Sequence, residues 1–206
     1  WLGTQDGLNR YDGYGFKIFN KQAFDSTSLA TNFVTALLID RNDNLWVGTL
    51  SGGLHLYIPE TENFIRFKPI QGDSTSIVHE NITSLFEDSE GNIWIGTAQG
   101  ICVAKWQLQK KQPSVNFERV DYPKELEPLY PSDRYIRRVY LDSQNQLWVG
   151  TLNGLFCFEW SASKKLELIR KYFSDQRITT VSEDAQGNIW TSMKGGLYRL
   201  NKGQAA

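Results

Sequence analysis

The chain has 206 residues, 40% of them hydrophobic and 22% charged, which excludes a disordered tail and leaves one globular unit or a piece of one. Its 22 Lys and Arg against 23 Asp and Glu give a net charge of −1, which removes the attraction that drives most nucleic-acid binding, so no nucleic-acid partner is expected. No run approaches the roughly 18 apolar residues of a membrane span and Trp1 does not open a charged-then-apolar leader, so no membrane contact is expected of this segment and any targeting segment is read as missing or removed.

Along the chain one pattern returns. Trp-Leu-Gly-Thr stands at Trp1, Trp-Val-Gly-Thr at Trp46, Trp-Ile-Gly-Thr at Trp94, Trp-Val-Gly-Thr at Trp148 and a degenerate Trp-Thr-Ser-Met at Trp190. Six residues before each of the last four tryptophans is an aspartate: Asp40, Asp88, Asp142 and Asp184. Six or seven residues after all five comes a glycine followed by a large apolar residue: Gly7-Leu8, Gly53-Leu54, Gly100-Ile101, Gly154-Leu155 and Gly196-Leu197. Two landmarks in register over five copies, and a third over four of them, set the repeat.

Within one period the alternation of apolar residues predicts four short strands. In the third copy these are Ile82 to Glu87, Asn92 to Thr97, Ile101 to Ala104 and Val115 to Val120. Gly91, and Asp43, Asn145 and Gly187 at the matching positions, are residue types that tolerate φ > 0, as a short hairpin with a bulge requires. The aspartate that opens each turn is placed to accept hydrogen bonds from the turn's backbone N–H groups.

Four strands every 40 to 50 residues, joined by hairpins without helical periodicity, give the fold class: all-β, a β-propeller with four to five four-stranded blades of an incomplete ring. Residues 1–206 form one partial propeller, with repeats beginning at about Trp1 (a partial blade), Val34, Ile82, Ile136 and Ile178 (a partial blade). Closing four blades leaves two strands over, and closing five leaves two lacking. Seven blades of about 47 residues are therefore expected in the whole ring, completed by the remaining blades or by another copy, since open strand edges invite association.

The repeated Trp1, Trp46, Trp94, Trp148 and Trp190 are expected to pack between blades, a second reading being an aromatic platform for sugars. Cys102 and Cys157 occupy similar places in neighbouring blades and read as small buried hydrophobes, with a disulfide as the alternative. His55 and His79 fit no metal-binding spacing, so neither a metal nor another cofactor is expected. Asp88 with Glu90, or Glu183 with Asp184, resembles the carboxylate pair of a glycosidase, but the same aspartate recurs where the hairpin needs it. Ser51-Gly52-Gly53 is a turn signal rather than a nucleophile elbow, and no catalytic residue is assigned. Asn81-Ile82-Thr83 matches a glycosylation acceptor, a pattern common by chance.

Binding is expected on the links between blades, Lys21 to Asn32, Gln71 to Asn81 and Pro123 to Arg134, because the strands are consumed by packing. The candidate ligand contacts there are His79, Glu80, Asp133 and Arg134, with solvated loop charges as the alternative. Trp106 and Trp160, each twelve residues after a motif tryptophan, are expected at the opposite rim, packing at an edge or stacking on a sugar or partner.

The segments Asp-Ser-Glu-Gly-Asn-Ile-Trp-Ile-Gly-Thr (88–97) and Asp-Ala-Gln-Gly-Asn-Ile-Trp (184–190) resemble the two-component regulator propeller repeat. The links Asp25-Ser26-Thr27-Ser28-Leu29 and Asp73-Ser74-Thr75-Ser76-Ile77, with Asn32 and Asn81 after them, resemble that family's connector. The departures are Thr191-Ser192-Met193 in the fifth copy and the long Pro123 to Pro131 connector. The resemblance implies a periplasmic sensor region of a bacterial hybrid two-component system, responding to an oligosaccharide and signalling to a histidine kinase outside this chain. The competing expectation is a fragment of a propeller enzyme acting on polysaccharide, a lyase or a glycosidase.

Overall fold

A computed structural model describes residues 1–107, 114–120, 135–160 and 166–201. Eighteen strands and no helix occur among the described residues. The first sheet holds β1 (Leu2–Thr4), β2 (Gly7–Tyr11) and β3 (Phe16–Phe19), and the second β4 (Val34–Ile39), β5 (Leu45–Thr49), β6 (Gly53–Ile58) and β7 (Asn63–Phe67). The third holds β8 (Ile82–Glu87), β9 (Ile93–Thr97), β10 (Gly100–Gln107) and β11 (Ser114–Arg119). The fourth holds β12 (Arg138–Leu141), β13 (Gln146–Gly150), β14 (Leu155–Trp160) and β15 (Leu166–Tyr172), and the last β16 (Ile178–Glu183), β17 (Ile189–Met193) and β18 (Gly196–Leu200).

Each sheet is antiparallel with its strands in sequence order, so each is one blade. The strands β4, β8, β12 and β16 approach one another in succession and form the inner edge. Among the described residues the first and last sheets have three strands each and do not pair with one another, so the described blades do not close a ring. Antiparallel order puts the aspartate turns at one rim, and the second hairpins with the links at the other.

The core lies between blades rather than within them. Trp46, Leu54 and Leu56 of the second sheet pack with Ile82, Ile93 and Ile95 of the third, and Trp94, Ile101 and Val103 of the third pack with Ile136, Val139 and Val149 near and on the fourth. This packing explains the motif glycine. A Cβ on Gly48 would stand 2.6 Å from Ile82 Cγ2, and on Gly150 2.6 Å from Ile178 Cγ2, so only a bare α-carbon lets the next blade's first inner residue seat. Where no sheet follows or precedes, the same positions are open. Leu197 is 62% exposed where its counterpart Ile101 is 1%, and Leu2 is 53% exposed where Ile95 is 0%.

Polar contacts also cross the blade seams. Arg41 in the second sheet's turn donates from Nε to Glu87 Oε1 at 2.7 Å, and further guanidinium N–H groups reach the carbonyls of Asp88 and Ser89. Ser143 makes the matching contact to Glu183, its backbone N–H at 2.8 Å and its hydroxyl at 2.7 Å.

Candidate functional site

The repeated aspartates are occupied. Asp88 Oδ1 accepts the backbone N–H groups of Glu90 and Asn92, each at 2.9 Å, and Oδ2 accepts the indole N–H of Trp94 at 2.9 Å. Trp46 donates to Asp40 at 2.9 Å, Trp148 to Asp142 at 2.8 Å and Trp190 to Asp184 at 2.8 Å. In the last copy the bonds from Trp190 and Asn188 hold the Asp184 carboxyl down at about 2. The indole bond was not anticipated: the spacing of six residues was visible, but not that both side chains lie on the same face of the hairpin. The rings of Trp46, Trp94 and Trp148 are buried, and Trp190 is half-buried. The motif threonines close the second hairpin, for example Thr97 Oγ1 donating to the Gly100 carbonyl at 2.8 Å.

The two link segments that are described share one conformation. Asp25 Oδ1 accepts the backbone N–H and the hydroxyl of Thr27, both at 2.7 Å, and Asp73 does the same with Thr75 at 2.8 and 2.6 Å. These bonds hold both carboxyls below the usual range. Each link is tied to the outer strand of the blade it enters, through Phe64 N–H to the Thr27 carbonyl at 2.7 Å and Phe117 N–H to the Thr75 carbonyl at 3.1 Å. Arg66 adds donations to the carbonyls of Asp25 and Ser28.

His79 and Glu80 are half-buried at the end of the second link. His79 Nδ1 accepts the Asn81 backbone N–H at 2.9 Å, and the Glu80 carbonyl accepts Gly53 N–H at 2.9 Å. Asp133 and Arg134 lie outside the described residues, so the structure brings together only the first two candidates. His55 is fully buried, its Nε2 accepting the Ala30 N–H at 3.1 Å while Nδ1 has no partner, and burial pushes it down to about 4. Cys102 and Cys157 are free and buried, with both thiols pushed up to about 12 by desolvation. Among the described residues no three His, Cys, Asp or Glu side chains are grouped to hold a metal.

At the rim of the aspartate turns a cleft of about 370 Å³ opens between the third and fourth blades. Its floor is Trp94, Val103 and Val120, and Trp160 and Leu141 form a wall. Trp160 meets Trp94 edge to face, with ring centroids 4.9 Å apart and planes at 80°. Glu90, Lys105, Glu118 and Asn145 stand around the mouth, and Lys105 pairs with Glu118 at 3.0 Å. Trp160 thus lies at the rim opposite the links, and it both packs and lines a cavity. The side chain of Trp106 lies outside what the structure describes.

The family model of the two-component regulator propeller matches residues 28–51, 76–99 and 130–153. A 30-residue stretch is 53% identical to a protein named histidine kinase P4 from Formosa agariphila, covering 15% of this chain and 2% of that protein. The fold is similar to the extracellular domain of a protein described as a hybrid two-component system from B. thetaiotaomicron, with TM-score 0.67 and 22% identity over 98% of this chain and 26% of that one. It is also similar to virginiamycin B lyase from Staphylococcus aureus, with TM-score 0.60 and 13% identity over 97% of this chain and 64% of that one. The chain therefore spans a small part of the curated relative it matches and about a quarter of the first of these structures. The two-component regulator propeller repeat is thus matched in three segments, one each for the second, third and fourth of the five sheets.

Proposed function

We propose that this chain is the sensing or interaction part of an extracytoplasmic, periplasmic two-component sensor that responds to an oligosaccharide and signals to a histidine kinase outside these residues. The observation that carries the reading is the threefold match to the two-component regulator propeller repeat. Support comes from the short stretch shared with a protein named as a histidine kinase and from the fold shared with an extracellular domain described as part of a hybrid two-component system.

The second reading is a propeller enzyme acting on polysaccharide; the virginiamycin B lyase neighbour shows only that this fold also occurs in a lyase. The carboxylate pairs that would serve it are engaged elsewhere: Asp88 holds its turn and Trp94, and Glu183 is bonded by Ser143 across a seam. The sensor reading therefore has no catalytic step in these residues.

The test uses the full-length protein with a pool of oligosaccharides, reading ligand-dependent signalling beside a thermal melt. If the ligand sits on the link face, substituting His79 or Glu80 by Ala shifts the half-maximal ligand concentration with little change in melting temperature, whereas Trp94→Ala is expected to lose about 3–5 kcal/mol of stability through a core cavity. Trp94→Ala as stable as wild type yet unresponsive would make the tryptophans the binding surface instead.

A further inference from the structure

In each of the first four blades the apolar residue after the second-hairpin glycine has a partner at the end of the outermost strand or, in the third blade, on the residue just after it. Leu8 pairs with Phe19, Leu54 with Phe67 and Leu155 with Tyr172, and Ile101 receives the N–H of Val120 at 3.0 Å. The three aromatic partners each lie beside their own blade's motif tryptophan, with centroids 5.6 Å apart for Trp1 and Phe19, 6.1 Å for Trp46 and Phe67, and 5.6 Å for Trp148 and Tyr172. The third blade has valine at this position. The volume a ring would fill beside Trp94 is shared between Trp160, entering from the fourth blade, and the open cleft.

The cleft's size lies within the roughly 300–1,000 Å³ of small-molecule sites, and an apolar floor with a few polar groups at the mouth is their usual lining. Trp160 is half-buried, so part of its indole remains for a ligand with an apolar face. Glu90 and Glu118 can accept hydrogen bonds, Lys105 can donate, and Asn145 can do both. Three carboxylates line the cleft, Asp88, Glu90 and Glu118, against the two cations Lys105 and Arg119, so there is no excess of positive charge with which to hold an anionic ligand. A ring with C–H groups on its faces and hydroxyls on its edge matches both parts.

We propose that this seam between the third and fourth blades binds a neutral oligosaccharide, stacked against Trp160 with its hydroxyls at Glu90, Glu118 and Asn145. The assignment rests on the oligosaccharide reading above, and places the contact on the rim opposite the links.

Val120→Phe installs the ring the other blades carry and should fill the cleft while keeping the melting temperature, and Trp160→Ala removes the stacking surface. The probe is a panel of neutral trisaccharides of gluco, galacto, manno and xylo configuration, titrated calorimetrically into the full-length protein with a melt for each variant. The expected result is saturable binding of at least one trisaccharide, weakened at least about tenfold by each substitution. Binding that neither substitution changes would overturn the cleft but leave the oligosaccharide reading, with His79 and Glu80 as its contacts. Binding of no trisaccharide at millimolar concentration would overturn both.

Discussion

The indole N–H of Trp94 donates to Asp88 Oδ2 over 2.9 Å, while Asp88 Oδ1 takes the N–H groups of Glu90 and Asn92. One carboxylate thus shapes the first hairpin and orients the ring that packs into the next blade. Both partners are buried, so losing the acceptor leaves donors without water to replace it.

Asp88→Ala should therefore lower stability by about 1–3 kcal/mol, and Asp88→Asn by less because an amide oxygen still accepts. The midpoint of denaturant unfolding reads the difference. Glu90→Gln, at an exposed neighbour, should leave it unchanged.

Gly48 is held without a side chain by Ile82 of the next blade. Gly48→Ala should destabilise by about 1–3 kcal/mol through overpacking. Combining it with Ile82→Ala should cost less than the sum of the two single changes, a coupling that a double-mutant cycle measures. Strict additivity would show that the two residues do not press on each other.

His55 links stability to pH. Its folded value near 4 lies below the ordinary 6.5, so the unfolded chain takes up the proton first as pH falls. Stability should be full above about pH 6.5, decline towards pH 4 and level off below, a loss on the order of 3 kcal/mol. Urea titrations across this range should show the decline, and His55→Gln should flatten it.

Gly91 sits at φ 87° in the turn opened by Asp88, and Asn145 takes φ 60° at the equivalent place. Gly91→Val should lose about 1–3 kcal/mol, whereas Gly91→Asn should lose little. Equal midpoints for the two variants would contradict the turn geometry.

The turn chemistry was legible because each element needed for it lies within seven residues. Asp88, Gly91 and Trp94 can be aligned with their counterparts by counting. The reason for Gly48 was not, since the residue that demands it, Ile82, lies in the next blade and is reached only by folding. The cleft was hidden for a related reason. Val120 follows Ile101 by 19 residues where Phe19 follows Leu8 by 11, so the outermost strand cannot be put in register without the sheet. His55 carried no motif, and its burial follows from the Asp25 to Leu29 link folding over it.

The most direct test of the sensor reading follows kinase phosphorylation and sugar products together in one sample of the full-length protein as oligosaccharide is added. Saturable change in phosphorylation with the oligosaccharide recovered intact is the result expected of a sensor. Unchanged phosphorylation with shortened or unsaturated sugar products would contradict it and establish the enzyme reading.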